Sequence, residues 1–144
     1  TAGYQGTLGF GYPTSLGVKA ANPDRVVISV AGDGGFMFGV QELATAAQHD
    51  LGVVVLVFNN SAYGNIRRDQ RTRFQDRIIA SELENPDFVA LAESFGVHGA
   101  RVDNPEALRP VLAAAIERNA PALIEIMIDP DSEANPWQLF VMQK

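Results

Sequence analysis

Residues 25–60 read RVVISVAGDGGFMFGVQELATAAQHDLGVVVLVFNN, and the fold is decided in this stretch. Residues 26–31 are rich in β-branched side chains and almost wholly apolar, as expected of a strand buried on both faces of a parallel sheet. The strand runs into Gly32-Asp33-Gly34-Gly35, where missing side chains allow a tight turn and a close backbone approach to a ligand. A helix is expected next, with Val40, Leu43, Ala44 and Ala47 at helical spacing on its packed face. Residues 53–58 then form a second apolar strand, which delivers Asn59 and Asn60 to the same sheet edge. Parallel strands joined by a right-handed crossover end side by side, so Asp33 and Asn60 should be neighbours in space.

A carboxylate, an amide oxygen and nearby backbone carbonyls form a hard oxygen set suited to Mg²⁺, which keeps some water and binds a ligand's phosphates as well. The glycine amides and the helix N-terminus suit a diphosphate. Asp33 would repel a diphosphate directly, so the two features belong together only with a cation between them. A dinucleotide-binding turn fits poorly, because the third glycine of G-x-G-x-x-G would fall on Met37. The Gly-Lys-Ser/Thr ending of a phosphate-binding NTPase loop is also missing.

The remaining bounds come from size and charge. The 144 residues are enough for one domain with a substantial core. A net charge of −6 argues against nucleic acid and anionic membrane surfaces as partners. No apolar run is long enough for a membrane span. With no cysteine, disulfides, thiolate metal sites and cysteine nucleophiles are excluded. These features, with no visible signal peptide, agree with a cytoplasmic location. The chain opens on Thr1-Ala2-Gly3 and enters a glycine-rich segment at once, which suggests a C-terminal fragment of a longer polypeptide.

Four glycines fall among residues 3–11, the signature of a loop pressed close to something, and Pro13 suits the first turn of a helix running to about residue 21. Asn22-Pro23-Asp24 is a turn into the first central strand. Glu42 reads as a first-turn helix stabiliser rather than a general base, and His49 as a helix-end cation. His49 and His98 are too far apart in sequence to suggest a metal pair. Residues 61–77 carry five arginines against two aspartates. They read as a salt-bridged surface helix, or as a border of the reaction face where guanidinium groups meet a carboxylate substrate. Asn85-Pro86-Asp87 starts a helix with Phe88, Leu91, Ala92 and Phe95 on its apolar face and Gly96 as its stop. A short strand at 97–102 follows, then a helix from Asn104-Pro105-Glu106 to about residue 118. Pro110 should cost that helix a hydrogen bond or split it. A strand at 122–128 closes the sheet. The expected order is α-β-α-β-α-α-β-α-β, a three-layer α/β/α domain on a mostly parallel sheet, with an irregular tail over residues 129–144.

The GDG turn, a spacer of 24 residues (35–58) and the NN pair resemble the metal-and-diphosphate motif of thiamin-diphosphate enzymes. Gly6-Thr7-Leu8-Gly9-Phe10-Gly11-Tyr12-Pro13 resembles the segment that holds the cofactor's aminopyrimidine ring. Asn-Pro-Asp-Phe, Leu-Ala-Glu-x-Phe-Gly and Pro-Ala-Leu-Ile-Glu look like the acetolactate-synthase branch. By that resemblance, Asp33, Asn60 and the carbonyl of Ala62 would hold Mg²⁺, Gly34 and Gly35 would contact the diphosphate, and Gly32 would belong to the cofactor-binding set. Gly6 would accept from the aminopyrimidine amine and Leu8 would wedge under the bent cofactor. Tyr63, Gly64 and Asn65 would complete the cofactor-binding set. The resemblance implies decarboxylation of a 2-oxo acid such as pyruvate and ligation of the product to a second carbonyl. It places no catalytic residue in this chain. The glutamate that activates the cofactor belongs to a pyrimidine-binding domain, supplied by another subunit of a homodimer or homotetramer. Acetohydroxyacid synthases usually carry Met and Trp where this chain has Asn65 and Asp69, which keeps other readings open. Those readings are a non-oxidative 2-oxo acid decarboxylase, another carboligase, or a non-catalytic cofactor-binding module.

Overall fold

The computed structural model describes residues 6–130 and 132. Six helices and four strands alternate along them: α1 (Gly11–Ala21), β1 (Val27–Gly32), α2 (Asp33–Met37), α3 (Glu42–Gln48), β2 (Val53–Asn59), α4 (Gly64–Arg73), α5 (Phe88–Ser94), β3 (His98–Val102), α6 (Pro105–Arg118) and β4 (Ala122–Met127). The strands form one sheet in the order β1-β2-β4-β3, and every pairing is parallel. The expected three-layer α/β/α domain is the one observed.

Alternation along β2 and β4 divides the core. Val53, Val55, Val57 and Leu123 face one layer, with Tyr12 and Leu16 of α1, Phe36 of α2, Leu43 and Ala46 of α3, and Phe88 and Ala92 of α5. Phe36 is the hub, edge-to-face with Tyr12 at 5.4 Å and with Phe88 at 5.9 Å. Val54, Leu56, Ala122, Ile124 and Ile126 face the other layer, where α6 supplies Ala115 with Leu108, Val111, Leu112 and Ile116 at its margin. Each large apolar side chain buried in this way contributes about 1.5–3 kcal/mol. Among the described residues no helix is long and apolar enough to cross a membrane.

β1 departs from its expected burial. It is an edge strand, and Ile28 and Val30 are 41% and 63% exposed. They share a face with Val54 and Leu56, but α6 lies over β2, β4 and β3 and does not extend to β1. Val27, Ser29 and Ala31, on the opposite face, turn inward, with Ser29 buried and Val27 and Ala31 packed against the core.

The helix after the GDG turn is also different. It breaks into α2 and α3 around Phe38–Gln41, and Ala46 rather than Ala44 is the buried alanine of α3. At the break Gly39 packs against Pro13, whose Cδ and Cγ would lie 3.1 Å from any Cβ at that position. α5 starts at Phe88, not at Asn85, because Asp87 caps it by accepting from the amides of Val89 and Ala90. These bonds, together with Arg101, hold the Asp87 carboxyl below the usual carboxylate range. Gly96 follows α5 with φ +78, as a helix stop requires. α6 runs unbroken through Pro110. The carbonyl that Pro110 cannot serve is that of Glu106, in an exposed first turn open to water.

Lys19 has a structural role that the sequence did not reveal. It is buried at the end of α1, and Nζ donates to the carbonyls of Pro23 and Arg25 and to Asn119 Oδ1. All three ammonium donors are satisfied, tying α1, the turn into β1 and the end of α6 into one corner.

Candidate functional site

The candidate site lies at the C-terminal ends of β1 and β2, where doubly wound sheets place their ligands. Gly32 pairs with Phe58, so the chain leaves both strands at adjacent points, into Asp33 on one side and Asn59-Asn60 on the other. Asp33 is buried at 2% exposure, and its Oδ2 accepts from the amide of Ala62 at 3.2 Å. Asp33 and Ala62, 29 residues apart, therefore meet directly, while Asn60 stands half-buried between them in the chain. The turn that achieves this is tight. Ser61 has φ +53, and its amide donates to Asn59 Oδ1 at 3.0 Å.

Residues 61–63 are then pinned from outside. Tyr63 N donates to Ser81 O, Leu83 N donates to Ser61 O, and Ala62 bridges Glu82 in antiparallel fashion. This folds the Tyr63 ring over Gly34, where any Cβ would lie 2.5 Å from the ring. The glycine at 34 is thus required by packing. Gly35 differs, since a Cβ there would make only ordinary contact with Leu8 Cδ2 at 3.6 Å. That contact is informative, because it seats the N-terminal glycine loop directly over the GDG turn. Leu8 is 48% exposed, and Gly6 and Gly9 adopt φ +57 and +81.

The donor set fits a hard divalent cation bound with a phosphate ligand. It comprises one carboxylate, side-chain amide oxygen and backbone carbonyl, without soft ligands. No cluster of three or more His, Cys, Asp or Glu occurs among the described residues, so Asp33 is the anionic centre of the set. The helix contributes less than expected. α2 is only five residues long, so its first amides, rather than a long macrodipole, face the site.

The basic run resolves into separate roles. Arg67 of α4 is buried, and its Nη2 donates to Pro130 O at 2.8 Å, anchoring the helix to the chain beyond β4. Arg73 and Arg71 reach Asp69 and Asp76 only at 3.8 and 3.9 Å on the surface, where such pairs contribute little. Gly64 opens α4 behind Tyr63, and the exposed Asn65 accepts from Arg68 Nη2 at 2.7 Å. Asn65 and Asp69 therefore lie on a partly exposed helix. Glu42 bonds Thr45 within α3, consistent with a helix stabiliser.

The sequence reading brings Asn59 to the sheet edge and Asn85 to a helix start, but assigns neither of them, nor Glu125, a place in the site. Asn59 Nδ2 donates to the buried Glu125 at 2.7 Å, and Asn85 Nδ2 donates to both Asp33 Oδ2 at 2.7 Å and Asn59 Oδ1 at 3.0 Å. The signals available were the Asn59-Asn60 pair at the strand end and a charged residue inside the strand 122–128. A groove of ≈ 550 Å³ runs elsewhere, along the open edge of β1, and touches this site only at Leu8, Gly32 and Gly35. Its lining is largely the apolar face of edge strand β1 with the start of α1, which does not suit an anion. The expected tail over 129–144 falls largely outside the described residues.

Comparison with known proteins bears on this geometry. The family described as "Thiamine pyrophosphate enzyme, C-terminal TPP binding domain" matches residues 1–126. The chain is 43% identical over 136 residues to a probable acetolactate synthase large subunit of Methanocaldococcus jannaschii, covering 94% of this chain and 23% of that protein. It is 38% identical over 129 residues to the mitochondrial acetolactate synthase catalytic subunit of Aspergillus candidus, covering 90% and 19% respectively. Among solved structures, a thiamine diphosphate-dependent 4-hydroxybenzoylformate decarboxylase of Rhodococcus jostii superposes with a TM-score of 0.80 at 36% identity. That superposition covers 85% of this chain and 23% of the decarboxylase. The chain thus spans about a quarter or less of the length of these relatives.

Proposed function

The chain belongs to the C-terminal cofactor-binding domain family of thiamin-diphosphate (thiamine pyrophosphate) enzymes, closely related to acetolactate synthase large subunits, and from this we propose its role. It holds Mg²⁺ and the diphosphate of thiamin diphosphate in an enzyme that decarboxylates a 2-oxo acid and ligates the product to a second carbonyl. The observation that supports this reading best is the bond from Ala62 N to Asp33 Oδ2, which brings the segment after the asparagine pair against the GDG turn. Asp33, Asn60 and the Ala62 carbonyl would hold the metal. The amides around Gly34 and Gly35 would receive the diphosphate, with Tyr63 closing over them. When bound, thiamin diphosphate supplies the carbon chemistry, and the protein's task is to position it. The group that activates the cofactor comes from a pyrimidine-binding domain of the same enzyme, in a partner subunit of a homodimer or homotetramer in the cytoplasm.

A second reading, a non-oxidative 2-oxo acid decarboxylase, is favoured by the likeness to the Rhodococcus decarboxylase. Asn65 and Asp69 point the same way, because both depart from the synthase pattern on α4. The experiment that separates the two supplies the full-length enzyme with pyruvate, Mg²⁺ and thiamin diphosphate and identifies the products. Acetolactate with carbon dioxide is expected; acetaldehyde with carbon dioxide would select the decarboxylase, and no metal-dependent turnover of any 2-oxo acid would overturn both.

Leu8 offers a sharper check, since its side chain projects over Gly35 and is half exposed. Leu8→Ala should lower kcat by about tenfold or more through misplacement of the reacting ring. Cofactor affinity, set at the diphosphate end, should change far less. Steady-state kinetics alongside calorimetric titration measure the split, and unchanged kcat would remove the wedge role from Leu8.

A further inference from the structure

The Asp33 carboxylate is held by a chain of polar groups that crosses the sheet. Arg101 Nε on β3 donates to Glu125 Oε2 on β4 at 2.6 Å, and Asn59 Nδ2 at the end of β2 donates to Glu125 Oε1 at 2.7 Å. Asn85 Nδ2, in the loop before α5, donates to Asn59 Oδ1 at 3.0 Å and to Asp33 Oδ2 at 2.7 Å. Arg101 Nη2 also reaches the cap residue Asp87 at 2.9 Å, fixing the far end.

The chain has a single consistent polarity. An ionised carboxylate only accepts, so Glu125 dictates which end of the Asn59 amide faces it. Asn59 must then turn Oδ1 toward Asn85, and Asn85 must answer with its NH₂ group. Both protons of that group are used, one on Asn59 and one on Asp33. Flipping Asn59 would set its oxygen against the Glu125 carboxylate and its NH₂ against that of Asn85, and flipping Asn85 would set its oxygen against two acceptors, Asp33 Oδ2 and Asn59 Oδ1. Water cannot readily substitute, because Glu125 is 2% and Asn59 5% exposed. With Ala62 N as the second donor, Asp33 Oδ2 is gripped from two sides, which stops rotation of the carboxylate. Both donors are neutral, so Asp33 keeps its negative charge for a ligand; an arginine or lysine at position 85 would cancel it.

We propose that Asn85, oriented by Glu125 through Asn59, is a positioning residue that aims the Asp33 carboxylate at a divalent cation. The inference rests on the metal-site reading above and extends it to residues on three other elements. Groups that orient a metal ligand typically carry 10–100-fold in metal affinity.

The test uses the full-length enzyme carrying this domain, with Mn²⁺ as the probe in the presence of thiamin diphosphate. Bound Mn²⁺ is followed by the loss of its free six-line electron paramagnetic resonance signal. Asn85→Ala should weaken Mn²⁺ binding by about 10–100-fold while the apo protein keeps its thermal midpoint within a few degrees. Asn85→Asp, which cannot donate and adds a like charge, should weaken it at least as far. Glu125→Gln, which removes the acceptor that orders the amides, should produce a smaller loss in the same direction. Asp33→Asn separates this inference from the reading beneath it. If Asp33→Asn abolishes Mn²⁺ binding while both Asn85 variants bind like the wild type, the positioning role is overturned and the metal site stands. If Asp33→Asn itself binds Mn²⁺ normally, both are overturned.

Discussion

Replacing Asp33 by alanine is expected to abolish Mg²⁺-dependent cofactor binding while leaving the fold intact. Asp33 is the anionic oxygen ligand of a set otherwise made of amide and carbonyl oxygens, and no cluster of three or more His, Cys, Asp or Glu among the described residues offers a substitute. Without its charge, the metal would face only neutral dipoles on the protein side, and the diphosphate would lose the cation that anchors it to the protein. A loss of more than about 100-fold in affinity is expected, beyond the range for groups that merely orient a ligand. The structural cost is bounded. The truncation strands two donors, Ala62 N and Asn85 Nδ2, each worth about 1–3 kcal/mol if left unsatisfied. It also removes a carboxylate buried at 2% exposure, whose desolvation was itself unfavourable, and this offsets part of the cost. Calorimetric titration with thiamin diphosphate, with and without Mg²⁺, measures the effect, and circular dichroism controls for the fold. Affinity within a few-fold of the wild type would remove Asp33 from the metal site.

The largest effect on stability is expected at a residue remote from the site. Gly52 precedes β2, and any Cβ there would lie 2.6 Å from the carbonyl oxygen of Asn119 and 2.8 Å from its carbonyl carbon. These are backbone atoms, and they cannot swing aside. Asn119 caps α6 in the left-handed conformation (φ 46, ψ 35), and its side chain accepts from the buried Lys19. Gly52→Ala must therefore push the end of α6 away from the sheet or shift β2 itself. Overpacking of this kind costs about 3 kcal/mol or more, which lowers the melting temperature of a domain this size by roughly 10 °C. Gly17→Ala is the control. Nothing lies within 4 Å of a Cβ at that exposed position inside α1, so alanine should stabilise the helix by about 0.5–1 kcal/mol. Paired thermal unfolding of the two variants tests the contrast. A Gly52→Ala protein as stable as the parent would show that the α6 corner yields more easily than its bonding suggests.

Residues 25–60 determined the parallel α/β class, the GDG turn and the asparagine pair, and with them the meeting of the two strand ends. Those features are local or follow from the fixed hand of a crossover. Apolar runs, glycine turns and capping residues act over a few positions, so they can be read without knowing what lies opposite. Tertiary structure decided the rest. Residues 26–31 have the composition of a doubly buried strand, yet β1 is an edge, because burial depends on whether α6 reaches it. The expected helix breaks near Gly39, where Pro13, 26 residues earlier, packs too closely to admit a side chain. Asn85 read as a helix start, but its amide joins Asp33 to Asn59, across separations of 52 and 26 residues. Glu125 is held in the core by Arg101 and Asn59, which arrive from β3 and the end of β2. A buried polar group is stable only when its partners arrive, and those partners are chosen by the packing of distant elements.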